Sequence, residues 1–199
     1  DISYNILILA EERVNKVNEI NFIHGDAEIY KFKKCFYDLV YSRFGVMFFD
    51  NPKIAFKNIK RSIKKNGKLV FLSWNKIKNN PWIDYPSQAA FKVLSQPEKQ
   101  KENSPGAFSL SEKTLIKEIL INSGFGNVDS HKYNININLG KLEQAVHFAT
   151  QLGPAATPYA EAGGSQKNEA KAAIKDELSK FKHNENIVLP GSCWLTIAD

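Results

Sequence analysis

Sulfur is scarce in this chain: two cysteines, Cys35 and Cys193, and one methionine, Met47, in 199 residues. The cysteines lie far apart and match neither a structural zinc spacing nor a dithiol redox motif. A disulfide scaffold is excluded, and free thiols in a cytoplasmic setting are expected. Long apolar runs are missing too. Ile6–Ala10 and Phe44–Phe49 are the greasiest stretches, far short of the ~20 residues of a membrane span. The first residues lack the basic-then-apolar order of a signal peptide. Arginine is nearly absent, with Arg13, Arg43 and Arg61 alone among 27 basic residues. A surplus of lysine, asparagine and isoleucine reflects AT-rich coding, so the net charge of +6 does not by itself point to nucleic acid. His24, His131, His147 and His183 share no spacing, and no metal site is expected.

What is present is an ordinary globular composition, 43% hydrophobic and 24% charged, in a length that suits one domain with a substantial core. The charge is uneven. Residues 1–30 carry two basic and six acidic side chains, whereas residues 31–80 carry thirteen basic and two acidic. A local basic face is therefore expected.

The periodicity predicts alternating elements. Ser3 can cap a first helix through Ile6, Ala10, Val14 and Val17. Residues 20–24 and 37–42 read as strands. Asn51-Pro52 opens a helix with Phe56, Ile59 and Ile63 on its apolar face and lysines opposite; Asn66-Gly67 is its predicted stop. Residues 68–74 form a continuous apolar run, as in a strand buried on both faces. Residues 75–110 are polar, lack a clear period and read as an insertion or lid. A helix follows from Ser111-Glu112 to Gly124. Residues 125–139 alternate with Tyr133, Ile135, Ile137 and Leu139 on one side, as in a half-exposed antiparallel strand. Leu142–Leu152 and the segment around Ala170, Ile174, Leu178 and Phe181 read as helices, with a flexible connection at 153–165. Residues 187–198 close the chain as a strand bent at Pro190-Gly191. Strands alternating with helices argue for a parallel α/β sheet. The division is one domain, 1–199: an α/β core over 1–74, the insertion at 75–110, and C-terminal helices and strands over 111–199.

Four blocks carry a resemblance: Asp1-Ile2-Ser3; Gly25-Asp26-Ala27-Glu28; the run Tyr37–Phe49; and Asn66-Gly67-Lys68-Leu69-Val70-Phe71-Leu72-Ser73-Trp74. In this order and spacing, the chain resembles the class I S-adenosylmethionine-dependent methyltransferases of the type 11 kind. The resemblance implies a Rossmann-like fold, a mostly parallel sheet with an antiparallel C-terminal strand. It implies S-adenosyl-L-methionine as cofactor, with Asp1 on the ribose hydroxyls, Asp26 on the adenine amino group, Ile2 and Ala27 against the adenine ring, and Ser42 and Phe44 beside the methionine part. Ligands of open α/β sheets bind outside the carboxyl ends of the parallel strands, where these residues fall. Trp74, Trp82 and Tyr85, at or after the end of the apolar strand, are the candidate contacts of a methyl acceptor. No catalytic residue stands out. A sulfonium methyl donor is already activated, so positioning can supply much of the rate.

The family's Gly-rich loop lies upstream of the ribose-binding acid and is not in this sequence. The chain opens at Asp1 and its one methionine is Met47, so it is expected to be N-terminally truncated, the larger C-terminal part of an enzyme acting on a small or lipid-like molecule. Strands left without neighbours would expose a sheet edge and favour a homo-oligomer. Two other readings compete: an RNA-modifying methyltransferase using the basic 31–80 face, although nucleic acid is the less expected partner, and a non-enzymatic α/β binding module.

Overall fold

The computed structural model describes residues 1–14, 19–98 and 104–199. Helix α1 spans Tyr4–Val14, followed later by β1 (Tyr37–Arg43), α2 (Pro52–Ser62), β2 (Ile63–Trp74) and α3 (Pro81–Ala90). The second half holds α4 (Lys113–Asn122), β3 (Val128–Asn138), α5 (Leu142–Gln151), α6 (Ala156–Glu161), α7 (Gly164–Ser179), β4 (Lys182–His183) and β5 (Asn186–Ala198). Short 3₁₀ turns sit at Val46–Phe48 and Ile77–Asn79.

The sheet runs β1-β2-β5-β3, with β4 pairing β5 at the side. β1 and β2 are parallel, whereas β5 is antiparallel to both β2 and β3. The α/β class and the antiparallel C-terminal strand are as expected. The parallel share is smaller than expected among the described residues, because the predicted strand at 20–24 forms no ladder. A strand needs a neighbour for its backbone groups; the interactions that segment 23–25 makes run instead to the first residues. The Asp1 amine donates to the Ile23 carbonyl at 2.9 Å, and the Gly25 N–H donates to the Asp1 carbonyl at 3.0 Å.

Each helix forms for a local reason. Ser3 Oγ accepts from the Ile6 N–H at the start of α1, as predicted; Val17 lies outside the described residues. Asn51 Oδ1 accepts from the Ile54 N–H at 3.1 Å and Pro52 takes the first helical position of α2. The helix ends at Ser62, not at Asn66-Gly67. Ile63 turns to extended backbone and begins β2 instead of closing the helical face. Gly67 has a different task. A β-carbon there would lie 2.8 and 2.9 Å from the Tyr37 and Asp38 carbonyls, at the register shift between Tyr37 and Leu39. It is a bulge glycine that lets β1 approach closely.

Two cores flank the sheet. One joins α2 and α4 to β2 through Phe56, Ile59, Leu69, Phe71, Ile116 and Leu120. The other joins α3, α5 and α7 to the start of β5 through Ile83, Val146, Ile174, Leu178, Ile187 and Leu189. Residues 75–110, which lack a visible period, thus contain a helix whose Trp82, Ile83, Ala89 and Ala90 are core. The 153–165 connection contains α6. β5 runs unbroken past Pro190-Gly191, paired to Asn136 and Ile135.

The coverage is uneven. On β1 and β2, Val40, Leu69, Ser42 and Phe71 face one way by register, toward α2 and α4. Leu39 and Tyr41 face the other way and are 53% and 77% exposed. α1 buries no residue, although Tyr4, Ile6, Ile8 and Leu9 lie on it.

Two outcomes follow for stability and labelling. Phe71→Ala, in the fully covered core, should cost about 3–5 kcal/mol, read as a lower urea midpoint at unchanged slope. Cys35 is exposed while Cys193 is buried, and burial pushes the Cys193 thiol pKa up. A disulfide reagent should therefore titrate one thiol in the native protein and two in denaturant.

Candidate functional site

The parallel pair places two chain ends side by side. Beyond Arg43, the Phe44 N–H still donates to the Leu72 carbonyl at 3.1 Å, and then the chain turns. Phe44 adopts φ +58°, a left-handed conformation that costs a non-glycine residue on the order of 1–2 kcal/mol. Its ring lies parallel on Trp74, centroids 4.2 Å apart at 12°. Strain of this kind persists where surroundings over-determine it, and it clusters at ligand sites. Ser42 Oγ accepts from the Gly45 N–H at 3.3 Å, which fixes the same turn.

Met47 anchors this end from below. Its sulfur accepts from the Trp74 N–H at 3.3 Å, and its carbonyl accepts from Ser109 Oγ at 2.6 Å and the Gly106 N–H at 3.1 Å. Ser73 Oγ donates to the Leu110 carbonyl and Trp194 Nε1 to the Ser111 carbonyl. Segment 106–111 is thereby tied across the ends of β1 and β2.

The aromatic row continues inward. Trp74 meets Trp82 at 4.9 Å, and Trp82 meets Phe148 at 6.1 Å. Trp82 is 5% exposed and its indole N–H donates to Asn80 Oδ1 at 3.1 Å. It therefore backs Trp74 as core. Tyr85 packs on Phe181 at 5.5 Å, in the helical layer.

Asn80 is a hub that the sequence pattern did not disclose. It is fully buried. Its Nδ2 donates to the Asn75 and Lys76 carbonyls, while Oδ1 also accepts from the Ser192 N–H at 2.9 Å. One amide joins the end of β2, the start of α3 and the middle of β5. Its signal in the sequence was only Asn-Pro at a helix start, shared with many solvent-facing caps.

The acidic candidates gather separately, around residues 1–3 and 23–28. Asp1 Oδ1 accepts from the Ser3 N–H at 2.8 Å, and His24 Nε2 bonds the Ile2 carbonyl at 3.0 Å. Asp26 Oδ1 accepts from the Glu28 N–H at 2.8 Å, an Asx turn. Asn58 of α2 holds this turn by donating to the Ala27 and Tyr30 carbonyls at 2.9 and 2.8 Å. The Glu28 carboxylate accepts from the Asn51 N–H. Asp1, Ile2, Asp26 and Ala27 thus form one group. Through Glu28 and Asn51 it is tied to the loop that follows Phe44, where Ser42, Phe44 and Trp74 form the other.

Comparison with known proteins bears on the fold that carries these residues. Residues 1–71 match the family model described as a methyltransferase domain. The resemblance to the class I methyltransferases is borne out. A curated relative, a ubiquinone/menaquinone biosynthesis C-methyltransferase of Chromobacterium violaceum, is 26% identical over 159 residues. That match covers 74% of this chain and 63% of the relative, so the chain spans less than two thirds of the protein it matches. Among solved structures, a putative methyltransferase of Bacillus halodurans superposes with a TM-score of 0.58 at 18% identity, over all of this chain and 80% of that one. A Haemonchus contortus phosphoethanolamine N-methyltransferase, solved with phosphomonomethylethanolamine and S-adenosylhomocysteine, gives 0.53 at 19% identity, over all of this chain and 42% of that one. These likenesses establish the Rossmann-like methyltransferase fold. No helix among the described residues is long and apolar enough to cross a membrane.

Asn80→Ala would leave the Ser192 and Trp82 N–H groups buried without acceptors. At about 1–3 kcal/mol for each, the variant should lose about 2–6 kcal/mol in urea unfolding, and near-ultraviolet circular dichroism should report the loosened Trp82.

Proposed function

We propose that this chain is the larger C-terminal part of a cytoplasmic, S-adenosylmethionine-dependent methyltransferase that acts on a small or lipid-like acceptor. The observation that carries the reading is the turn after β1: a left-handed Phe44 stacked on Trp74 at the carboxyl ends of two parallel strands, tied by Glu28 and Asn51 to the Asp1–Asp26 group. Fold alone does not assign chemistry; this placement of strain and acids supports it.

The residues present suit the polar end of the cofactor. Asp1 and Asp26 each have a single oxygen engaged by a local backbone N–H, which leaves carboxylate capacity for the ribose hydroxyls and the adenine amino group. Ile2 and Ala27 would flank the adenine ring, and Ser42 and Phe44 the methionine end. The bound cofactor supplies a sulfonium-activated methyl group. The work left to the chain is to hold the acceptor in line and keep water away. Trp74 would form the acceptor wall with Trp82 behind it, and Tyr85 offers a further ring on α3. A general base is required only where the acceptor must shed a proton.

The free edge of β1 belongs to the same proposal. Leu39 and Tyr41 on its open face, with the unburied apolar side of α1, ask for further strands and helices from the same protein. Burial of such area stabilises at roughly 25 cal/mol per Å². Without that cover, the edge is open to self-association into homo-oligomers.

Calorimetry with S-adenosylhomocysteine tests the reading on two forms, residues 1–199 and a form extended N-terminally by the residues encoded before Asp1. The extended form should bind, and Asp26→Ala should weaken binding about tenfold, equivalent to ~1.4 kcal/mol. Failure of both forms to bind would leave a likeness of fold alone.

A further inference from the structure

The outer face of α2 carries a second candidate site, away from the Phe44–Trp74 turn. Ile54, Lys57, Asn58 and Arg61 follow i, i+3, i+4, i+7 spacing, so they line one side of the helix. The segment 28–34 lies over that side, held by the two Asn58 hydrogen bonds to Ala27 and Tyr30. Between them is a cleft of about 520 Å³, within the size range of ligand pockets, roughly 300–1,000 Å³.

The lining is chemically lopsided. Lys31, Lys34, Lys57 and Arg61 face it together with the half-buried rings of Tyr30 and Phe32. Among the described residues none of these four cations is in a salt bridge. The one acid in the lining, Glu28, is committed to the Asn51 N–H at the N-terminus of α2, at 3.1 and 3.2 Å. Like charges gathered around a concave, partly apolar wall focus the field and draw in an anion. Arg61 adds a planar donor fork suited to phosphate.

We infer that this cleft binds a free nucleotide, its phosphates on Lys57, Arg61 and the lysines of segment 31–34 and its base against Tyr30 and Phe32. The ends of the cleft differ in sign, with Glu28 near the start of α2 and Arg61 one residue before its end. That asymmetry favours a ligand with one charged end over a nucleic-acid strand, whose next phosphate would meet the Glu28 carboxylate. From Ile54 to Arg61 the helix rises ~10 Å, about the reach of one nucleotide. The inference does not depend on the methyl-transfer reading.

The test is titration of residues 1–199 with ADP, inorganic pyrophosphate and a short single-stranded RNA, followed by calorimetry. ADP should bind, and more weakly as salt rises. Lys57→Gln with Arg61→Gln, both on exposed positions, should weaken ADP and pyrophosphate alike by tenfold or more at unchanged thermal midpoint. Tyr30→Leu should weaken ADP several-fold and leave pyrophosphate unchanged. S-adenosylhomocysteine should not displace ADP. The proposal is overturned if ADP does not bind, if the Lys57/Arg61 variant binds it normally, if S-adenosylhomocysteine displaces it, or if RNA binds and ADP fails to compete.

Discussion

β2 is the constraint on which the rest of the molecule depends. Among the described residues it is the one strand paired parallel on one side and antiparallel on the other. Its alternate residues Leu69 and Phe71 are fully buried against α2 and α4. Its last residue, Trp74, stacks on Phe44 and touches Trp82, so the same strand that organises a core also delivers the wall of the candidate site. Ser73, buried next to it, bonds Leu110 and brings segment 106–111 across the strand ends. A shift of β2 by one residue would reverse every one of these contacts. The Gly67 bulge pins that register, since the Tyr37 and Asp38 carbonyls leave no room for a β-carbon there.

Much of this was legible from residue order. The cap at Asn51-Pro52, the apolar run 68–74 and the alternation of 125–139 each follow from a local rule with one outcome. The family resemblance shares the run 68–74 with these and rests otherwise on the short blocks at 1–3, 25–28 and 37–49. What escaped was set by tertiary partners. Residues 20–24 have strand composition but join no ladder. Ile63 continues the helical apolar pattern, yet the close approach of β1 draws it into β2. Helix α3 was hidden because its buried side includes Ser87 and Pro86 beside Trp82 and Ile83, a mixture without an amphipathic period. Asn80 was unreadable for a related reason. Its four hydrogen bonds join positions as far apart in sequence as Ser192, and no local pattern encodes such a meeting.

The candidate site divides along the same line. Asp26, Ala27, Ser42 and Phe44 could be named because the blocks that hold them resemble the methyltransferase family's. Their connection could not, since it runs through Glu28 and the Asn51 backbone and through Asn58 on the far side of a helix. The strain at Phe44 was equally invisible. A phenylalanine before a glycine reads as a simple turn, and only the backbone angle reveals that the aromatic residue, not the glycine, takes the left-handed position.

That placement has a physical logic. Had Gly45 taken the positive φ, the turn would form without strain, but the ring of Phe44 would lose the orientation that stacks it on Trp74. Stacked aromatic pairs contribute ~0.5–1.5 kcal/mol beyond their burial, comparable with the strain on the backbone. The Phe44–Leu72 hydrogen bond, the Ser42–Gly45 bond and the Met47 contacts add the remaining support. The turn is therefore held by its neighbours and not by its own preference. Its neighbours are well covered on the α2–α4 side and open on the side of Leu39 and Tyr41.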